Sequence, residues 1–466
     1  MQTTLPKEIF KAYDIRGIVD KTLTPSIVEA IGHAIGSEAK NRAQSAICIG
    51  YDGRLSGPTL AAALSRGICK AGINVINLGM VATPMVYFAA HYLNTNCGVM
   101  VTGSHNPPDY NGLKMVLAGE TLSNDSIQAL RARIEANNFA HGEGTESQYN
   151  IAPDYIAGIK ADINLARPLK IAVDCGNGVA GAFAKTLYQA IGCEVEELFC
   201  EVDGHFPNHH PDPSVPENLA DLVALLQTNA ATIGLAFDGD GDRLGVVTKE
   251  GNIIYPDRQL LLFAEHVLKK NPAATIIYDV KSTRHLSPWI KAHGGVPLMW
   301  KTGHSLVKAK IKETSAALAG EMSGHVFFND KNLQGKQRWF GFDDGLYAGA
   351  RLLEILSQFD NPSEVLNALP DSVSTPEQHI HMQEGEPHAL IASLQKTAYF
   401  ADATEVITID GLRVEYADGF GLMRASNTTP VIVLRFEADN EAALKRIQAQ
   451  FKTIILNTAP HLNLPF

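Results

Sequence analysis

The sequence predicts an α/β fold class, in which three successive α/β units with mixed sheets precede a C-terminal α+β module. Three observations support this prediction. Predicted helices and strands alternate between residues 26 and 101, as is typical of α/β layers. Each of the three units ends a buried strand in a compact polar loop, near residues 104, 238 and 321. From residue 372 onward the chain alternates in strand fashion and closes with an amphipathic helix.

The first unit, predicted to span residues 1–149, contains the candidate nucleophile. We predict a mostly parallel sheet with strands at 46–50, 73–78 and 97–101 and helices at 26–41, 58–70 and 84–92. The last strand is followed by the loop Thr102-Gly103-Ser104-His105-Asn106-Pro107-Pro108. Because ligands bind at the carboxyl ends of strands in such sheets, Ser104 is the candidate nucleophile. An ordinary turn has the same composition.

The second unit, predicted at 150–252, follows a polar linker at 140–149 and contains the candidate metal site. A strand at 232–237 runs into Asp238-Gly239-Asp240-Gly241-Asp242-Arg243. Three carboxylates at alternate positions can turn onto one hard cation, and they would repel one another without it. A calcium EF-hand is disfavoured, because its sixth and twelfth positions would be Arg243 and Lys249 instead of Gly and Glu. We therefore predict a magnesium site.

The third and fourth units, predicted at 253–371 and 372–466, each contribute one more polar loop. Glu321, Ser323 and His325 follow a strand predicted at 316–319 and offer hydroxyl-binding groups and an imidazole, unless they form only a turn. A linker at 369–376 precedes strands predicted at 406–409, 412–416 and 431–436 and a helix at 440–454. Between these strands, Arg424 is followed by hydroxyl and amide donors, which suit a phosphate dianion. An ordinary polar turn is equally compatible with this segment.

Composition and charge exclude several classes of partner. The 466 residues carry a formal net charge of −11, so we expect no nucleic acid and no acidic membrane as partner. The N-terminus has no apolar signal segment, and polar residues interrupt the charge-free stretch 71–108 too often for a membrane span. The six cysteines include no C-x-x-C pair, which is typical of reduced thiols in a cytoplasmic protein.

Four motifs, in this order, resemble those of the α-D-phosphohexomutase family. They are Thr102-Gly103-Ser104-His105-Asn106-Pro107, the loop from Asp238 to Arg243, Gly320-Glu321-Met322-Ser323-Gly324-His325, and Arg424-Ala425-Ser426-Asn427-Thr428. The resemblance extends over essentially the whole chain. It implies four domains around one central cleft, with one loop from each domain.

The resemblance also implies a role for each loop. Ser104 would be the phosphoserine and would join Asp238, Asp240 and Asp242 around one Mg²⁺. Arg16, Lys114 and Arg243 would surround the transferring phosphoryl group, with Lys114 and His325 as candidates for the general base and acid. The residues that would contact the sugar or line the cleft are Tyr13, Lys281, His304, Glu321, Ser323 and His325. The residues that would hold the non-reacting phosphate are Arg424, Ser426, Asn427 and Thr428.

The implied activity is reversible phosphoryl transfer between C1 and C6 of glucose and mannose phosphates. Phosphorylated Ser104 would give its phosphoryl group to the sugar, and the resulting 1,6-bisphosphate would turn around and rephosphorylate Ser104. Hexose phosphates would be the substrates, glucose 1,6-bisphosphate the activator, and a monomer the active form.

Two alternative activities are compatible with these motifs, and one segment differs in length from the family pattern. Phosphoglucosamine mutases usually carry Gln in place of Met322, which favours glucose or mannose phosphates here. A Mg²⁺-dependent phosphatase would use the same loops and release inorganic phosphate, but hydrolysis needs no second phosphate clamp. The segment 329–338 looks longer than in the family. We interpret it as a surface extension, with an effect on substrate range as the alternative.

Overall fold

The computed structural model describes residues 5–427 and 429–466. Its first sheet forms where apolar strands alternate with amphipathic helices. Its strands are β1 (Ile15–Ile18), β2 (Ala46–Tyr51), β3 (Asn74–Met80), β4 (Gly98–Val101), β5 (Tyr110–Leu117), β6 (Glu120–Thr121) and β7 (Glu146–Gln148). Its helices are α1 (Pro25–Asn41), α2 (Gly57–Lys70), α3 (Thr83–Tyr92) and α4 (Asp125–Glu135). The strand order is β1-β5-β4-β2-β3-β7, and β6 pairs with β5.

This sheet is mixed rather than mostly parallel. β2, β3, β4 and β7 form its parallel part, whereas β5 runs antiparallel to β4 and β1. The cause is the loop after Val101, which reverses the chain and brings β5 back along β4. The stretch 140–149 is not only a linker, because β7 lies within it and pairs with β3. The side chains of β7 are all exposed, so no apolar alternation indicated a strand.

The second and third sheets share one hydrophobic core. The second has β8 (Lys170–Asp174), β9 (Glu194–Leu198), β10 (Ile233–Phe237), β11 (Leu244–Thr248) and β12 (Ile253–Ile254), in the order β12-β11-β10-β8-β9. The third has β13 (Thr275–Asp279), β14 (Val296–Trp300), β15 (Leu318–Gly320) and β16 (Val326–Phe328), in the order β14-β13-β15-β16. The helices of this region are α5 (Ala152–Asp162), α6 (Ala184–Ala190), α7 (Ala220–Thr228), α8 (Pro256–Lys270), α9 (Leu286–Ala292), α10 (His304–Thr314), α11 (Gly345–Leu356) and α12 (Pro362–Asn367).

The fourth sheet has its own core. Its strands are β17 (Val373–Ser374), β18 (Gln378–His381), β19 (Glu405–Ile407), β20 (Leu412–Tyr416), β21 (Gly419–Ala425) and β22 (Val431–Ala438), and its helices are α13 (Glu386–Thr397) and α14 (Glu441–Thr458). Arg424 therefore lies in strand β21 rather than in a turn. The domain boundaries at 149, 252 and 371 stay predictions.

No helix within residues 5–427 and 429–466 has both the length and the apolar character needed to cross a membrane.

Candidate active site

Ser104 lies in the loop between β4 and β5, in an unusual backbone conformation. Its φ angle is 49°, a left-handed value that disfavours residues with a side chain. Its backbone N–H donates to Thr102 Oγ1 at 2.7 Å, and its side chain is buried. The chain therefore presents the Ser104 hydroxyl from a fixed, strained turn.

Asp52 and Arg54, which follow β2, hold this turn in place. Buried Arg54 donates to the backbone oxygens of Ser104 at 2.7 Å and Asn106 at 2.6 Å, and also to those of Pro107 and Tyr110. Asp52 accepts from Thr102 Oγ1 at 2.7 Å and lies 3.3 Å from Arg54 Nε. A planar guanidinium has several donors in a rigid fork, so one side chain fixes four carbonyl groups.

The three predicted aspartates follow β10, and the first of them contacts Ser104. Asp238 Oδ1 accepts the backbone N–H groups of Gly241 and Asp242 at 3.1 Å and of Arg243 at 3.2 Å. Asp238 Oδ2 accepts from Ser104 Oγ at 3.0 Å. The loop thus closes around the Asp238 carboxylate, whose second oxygen accepts from the serine.

These aspartates could hold a metal ion. Asp238, Asp240 and Asp242 each offer a carboxylate oxygen within 4.8 Å of the others, and all three are buried. Oδ1 of Asp240 and Oδ1 of Asp242 are buried with no hydrogen-bond donor in the described part of the chain. Burial and repulsion by Asp240 and Asp242 hold the pKa of Asp238 well above its ordinary value. Hard oxygen donors with unsatisfied lone pairs fit a divalent cation such as Mg²⁺.

Lys114 reaches this cluster from β5 of the first sheet. Its Nζ donates to Asp240 Oδ2 at 2.8 Å and also contacts Asp242 Oδ2. Burial alone would lower the pKa of Lys114, but Asp240 and Asp242 raise it above its ordinary value. The positive charge of Lys114 thus lies directly beside the predicted metal ligands.

Two arginines add positive charge around the serine. Arg16 donates to Asn106 Oδ1 and to Asp14 Oδ2, each at 2.5 Å, which places it against the Ser104 loop. Arg243 Nε lies 3.8 Å from Asp238 Oδ2 and 3.3 Å from His325 Nε2. The structure thus brings both arginines to the cluster.

The third unit contributes a network of buried polar groups. Glu321 Oε1 accepts the Gly303 N–H at 2.6 Å, and its Oε2 lies 3.3 Å from His325 Nδ1. Ser323 Oγ lies 2.8 Å from His325 Nδ1, and His325 Nε2 lies 3.3 Å from Asp242 Oδ1. Burial would lower the pKa of His325, but the neighbouring carboxylates outweigh burial and raise it to about 9. His325 connects the third unit to the aspartate loop.

Tyr13, His304 and Lys281 lie in the space beside this network. The ring of Tyr13 meets that of His304 edge-on at 5.6 Å. Burial raises the pKa of Tyr13 to about 12, and Arg424 and Arg16 are among the charges near it. Lys281 Nζ donates to Glu377 Oε1 of the fourth unit at 2.6 Å.

In the fourth unit, Arg424 is held by Asp410. Its Nε donates to Asp410 Oδ2 at 3.0 Å, and the same oxygen accepts the Thr302 N–H at 3.0 Å. Ser426 N–H donates to the Val431 carbonyl at 2.9 Å, and Asn427 is half-buried. Thr428 lies outside the described residues.

Sequence reasoning missed four residues that support these groups. Asp52 and Arg54 follow β2, so the strand-end pattern that indicated Ser104 also pointed to them. Asp343 Oδ2 lies 3.5 Å from His304 Nδ1, and its Oδ1 accepts from Lys308 Nζ at 2.7 Å. No local sequence pattern indicated this pair, because Asp343 and Lys308 meet only in the folded chain.

Comparisons with known proteins identify the family of this chain. Phosphoglucomutase/phosphomannomutase family models match as alpha/beta/alpha domains I, II and III at residues 7–141, 153–251 and 255–373 and as the C-terminal domain at residues 380–454. The phosphoglucomutase of Neisseria meningitidis serogroup A is 60% identical, with 99% of each chain covered. The phosphomannomutase/phosphoglucomutase of Pseudomonas aeruginosa is 56% identical over 99% of this chain and 98% of that protein.

A solved structure is also similar over its full length. It is the X-ray structure of a phosphoglucomutase/phosphomannomutase family protein from Burkholderia thailandensis, with a TM-score of 0.94 at 56% identity. The match covers 99% of this chain and 100% of that chain.

Family models for all four phosphohexomutase domains match the chain in order, so the resemblance predicted from the motifs is confirmed. The predicted fold class is confirmed as well. The chain belongs to the phosphoglucomutase/phosphomannomutase family.

Proposed function

We propose that this chain transfers a phosphoryl group reversibly between C1 and C6 of glucose and mannose phosphates. The observation that carries the proposal is the buried Ser104 hydroxyl, which lies 3.0 Å from Asp238 Oδ2 of an aspartate cluster that Lys114 also contacts. The names of the relatives, phosphoglucomutase and phosphomannomutase/phosphoglucomutase, support these sugars as substrates.

In the proposed reaction, phosphorylated Ser104 is the phosphoryl donor. The bond between phosphorus and Ser104 Oγ breaks, a bond to the free sugar hydroxyl forms, and the hydroxyl proton passes to a base. The resulting 1,6-bisphosphate turns around, and its other phosphate returns to Ser104 as the leaving sugar oxygen regains a proton. Glucose 1,6-bisphosphate both primes the enzyme and resembles the intermediate.

Charge neutralisation is the main task of the protein in this reaction. A phosphate dianion repels nucleophiles, so positioning and charge stabilisation account for most of the catalysis. Asp238, Asp240 and Asp242, with the phosphoryl group on Ser104, would hold one Mg²⁺, which when bound neutralises charge on the phosphoryl oxygens. Arg16 and Arg243 lie close enough to the serine loop to bind the remaining oxygens.

Lys114 and His325 are the proposed proton carriers. Both contact the aspartate loop, Lys114 through Asp240 and His325 through Asp242. Glu321, Ser323, Tyr13, His304 and Lys281 are proposed to contact the sugar or line the cleft.

Arg424, Ser426, Asn427 and Thr428 are proposed to hold the phosphate that does not react. A clamp that recognises phosphate rather than sugar position serves both orientations of the bisphosphate. We further propose that the active form is a cytoplasmic monomer.

A coupled assay tests the proposal. Purified protein, Mg²⁺ and a trace of glucose 1,6-bisphosphate are mixed with glucose 1-phosphate or mannose 1-phosphate, while the 6-phosphate and free phosphate are measured together. Conversion of both sugars without phosphate release is expected. Phosphate release without isomerisation would identify a phosphatase, and conversion of glucosamine phosphate alone would identify a phosphoglucosamine mutase.

A further inference from the structure

We propose that Cys175 and Cys200 form a redox modification site, which a peroxide converts into a reversible disulfide that slows turnover. Cys175 directly follows β8, and Cys200 lies two residues after the end of β9. These strands are parallel neighbours, so both cysteines lie at the carboxyl edge of the second sheet. The pair shares no residue with the candidate active site. The function proposed above enters only through the effect on turnover.

The two sulfur atoms are already in contact. Cys200 Sγ lies 3.5 Å from Cys175 Sγ. A disulfide holds its sulfur atoms about 2 Å apart, so they must approach by about 1.5 Å. The backbone keeps the two segments together, because the Cys175 N–H donates to the Leu198 carbonyl at 3.2 Å. Within residues 5–427 and 429–466, no other pair of the six cysteines forms a sulfur–sulfur hydrogen bond.

The two cysteines differ in exposure, which assigns them different steps. Cys200 is partly exposed, whereas Cys175 is fully buried. The hydrogen bond with Cys200, together with burial, raises the pKa of Cys175 well above its ordinary value, so Cys175 stays a thiol. Oxidation by a peroxide requires a thiolate that the oxidant can reach. Cys200 is therefore oxidised first, and Cys175 reacts with it afterwards.

The oxidation consumes one peroxide molecule for each pair of thiols. The Cys200 thiolate attacks one peroxide oxygen, the O–O bond breaks, and the hydroxide that leaves takes up the proton lost by the thiol and forms water. The sulfur of Cys175 then attacks the sulfur of the Cys200 sulfenic acid. The S–O bond breaks, and the hydroxyl group leaves with the Cys175 proton as a second water. Both sulfur atoms are oxidised, both peroxide oxygens are reduced, and a dithiol reverses the reaction by thiol–disulfide exchange.

The segment that begins at Cys175 supports the loop from Asp238 to Arg243. The Val179 N–H donates to the Gly239 carbonyl in that loop at 3.1 Å. The two backbones also lie very close together, since a Cβ on Gly178 would be 3.0 Å from the Cα of Gly239. A shift of the Cys175 segment is therefore transmitted to the predicted metal ligands.

The segment that begins at Cys200 reaches the support of the Ser104 loop. The ring of Phe206 lies 5.2 Å from the guanidinium carbon of Arg54, and a Cβ on Gly204 would be 3.0 Å from the Cα of Arg54. Arg54 in turn binds the Ser104 carbonyl. Disulfide formation thus displaces the supports of both loops at once. Because a misplacement of about 1 Å can lower a rate up to about a hundredfold, we expect kcat to fall at least about tenfold.

Peptide mapping tests whether the disulfide forms. The reduced protein with Mg²⁺ is treated with hydrogen peroxide at about pH 8, where an ordinary thiol is partly ionised, and the remaining thiols are blocked with N-ethylmaleimide. Proteases that cut after Lys and after Glu place Cys175, Cys193 and Cys200 on separate peptides. Mass spectrometry should find the peptide 171–185 linked to the peptide 198–201, and dithiothreitol should release both.

Three serine variants provide the matched controls. Cys175→Ser and Cys200→Ser should keep the kcat of the reduced natural chain and retain it after peroxide. Cys69→Ser, which removes the other partly exposed cysteine, should lose activity with peroxide as the natural chain does and recover it with dithiothreitol.

Three outcomes would overturn the proposal. They are the absence of the linked peptides after peroxide, an unchanged kcat in the crosslinked protein, and an equal loss of activity in Cys200→Ser. The linked peptides are detected without any sugar substrate. A reduced natural chain that lacks mutase activity but forms the crosslink would therefore refute the proposed function and leave the modification site standing.

Discussion

At the scale of single residues, Ser104 occupies a backbone conformation that costs free energy. Its φ of 49° lies in the left-handed region, where a Cβ crowds the neighbouring carbonyl. Arg54 and Thr102 hold the surrounding loop by hydrogen bonds, so the strained turn persists. Strain of this kind is found at functional sites that are fixed by their surroundings.

Two substitutions of Ser104 distinguish the role of its hydroxyl in catalysis from the free-energy cost of its backbone conformation. Both Ser104→Ala and Ser104→Gly should lower the mutase rate about a thousandfold or more, since the acceptor of the phosphoryl group is lost. The Gly variant should be more stable than the Ala variant by about 1 kcal/mol, because glycine tolerates positive φ. The coupled assay and thermal unfolding measure the two effects.

Ser315 is the matched control for this comparison. It is exposed, follows α10 and has a φ of 54°. Ser315→Gly should exceed Ser315→Ala in stability by a similar amount, with full activity in both. A near-normal rate in either Ser104 variant would refute the assignment of the nucleophile.

His266 should make stability depend on pH. Burial and nearby cations lower its folded pKa to about 3, below the ordinary value of 6.5, so the unfolded chain binds more protons between these values. The contribution of neutral His266 is fully present above pH 6.5 and is lost as the pH falls toward 3. At pH 5 this contribution to the free energy of unfolding is smaller by about 2 kcal/mol than it is well above pH 6.5.

Urea unfolding at pH 7 and pH 5 tests this dependence. His266→Gln should lose less stability between the two pH values than the natural chain, whereas His461→Gln, at an exposed position, should behave like the natural chain. Identical pH dependence in all three proteins would contradict the argument.

At the scale of elements, apolar patterns predicted more than polar ones did. The helix predicted at 58–70 and the strand predicted at 412–416 appear as α2 and β20, because their apolar residue types repeat with the expected period. The strand β7 has only exposed side chains, and no periodicity revealed it. The polar loops were recognisable from their positions after strands, and the same pattern pointed to Arg54, whereas Lys308 acts through a contact with Asp343 that only the fold creates.

Arg54 holds the loop between β4 and β5, and we expect that lysine cannot take over this role. Lysine keeps the charge but offers one point of donation instead of a fork, so most of the carbonyl bonds would be lost. We expect Arg54→Lys to destabilise the chain by about 2–3 kcal/mol. We also expect kcat to fall up to about a hundredfold through a misplaced serine.

Arg66→Lys is the control for this prediction, because Arg66 lies on nearby α2 and forms an exposed pair with Glu29. Arg66→Lys should change neither the free energy of unfolding nor kcat measurably. Steady-state kinetics and thermal unfolding of both variants provide the comparison. An Arg54→Lys enzyme with unchanged kcat would show that the loop keeps its conformation without the fork.

At the scale of the whole molecule, the fourth unit is fixed to the third by buried charged groups. Arg413 donates to the carbonyls of Val280 at 2.7 Å and Ser282 at 2.6 Å. Arg435 donates to the Lys281 carbonyl at 2.5 Å, and Glu437 accepts from Thr283 Oγ1 at 2.7 Å. These contacts involve the loop that follows β13. They therefore set the position of Arg424 relative to the third unit.

The proposed clamp predicts a specific kinetic effect for Arg424. Asp410 holds this guanidinium and also binds the Thr302 N–H of the third unit, so the cation is positioned before a substrate arrives. Loss of a charge-assisted hydrogen bond costs about 1.5–3 kcal/mol, which corresponds to roughly a 10- to 150-fold change in affinity. Because the clamped phosphate does not react, Arg424→Ala should raise KM by about this factor and change kcat much less.

Arg446→Ala is the matched control, since Arg446 lies in the same unit but forms an exposed pair with Asp418. Its KM for glucose 1-phosphate and mannose 1-phosphate should stay normal. A clamp that serves both orientations must also matter in both directions, so Arg424→Ala should raise KM for the 1-phosphate and the 6-phosphate alike. An effect on only one of them would place Arg424 at a position that distinguishes the two ends of the sugar, and an unchanged KM for both would remove it from the binding site.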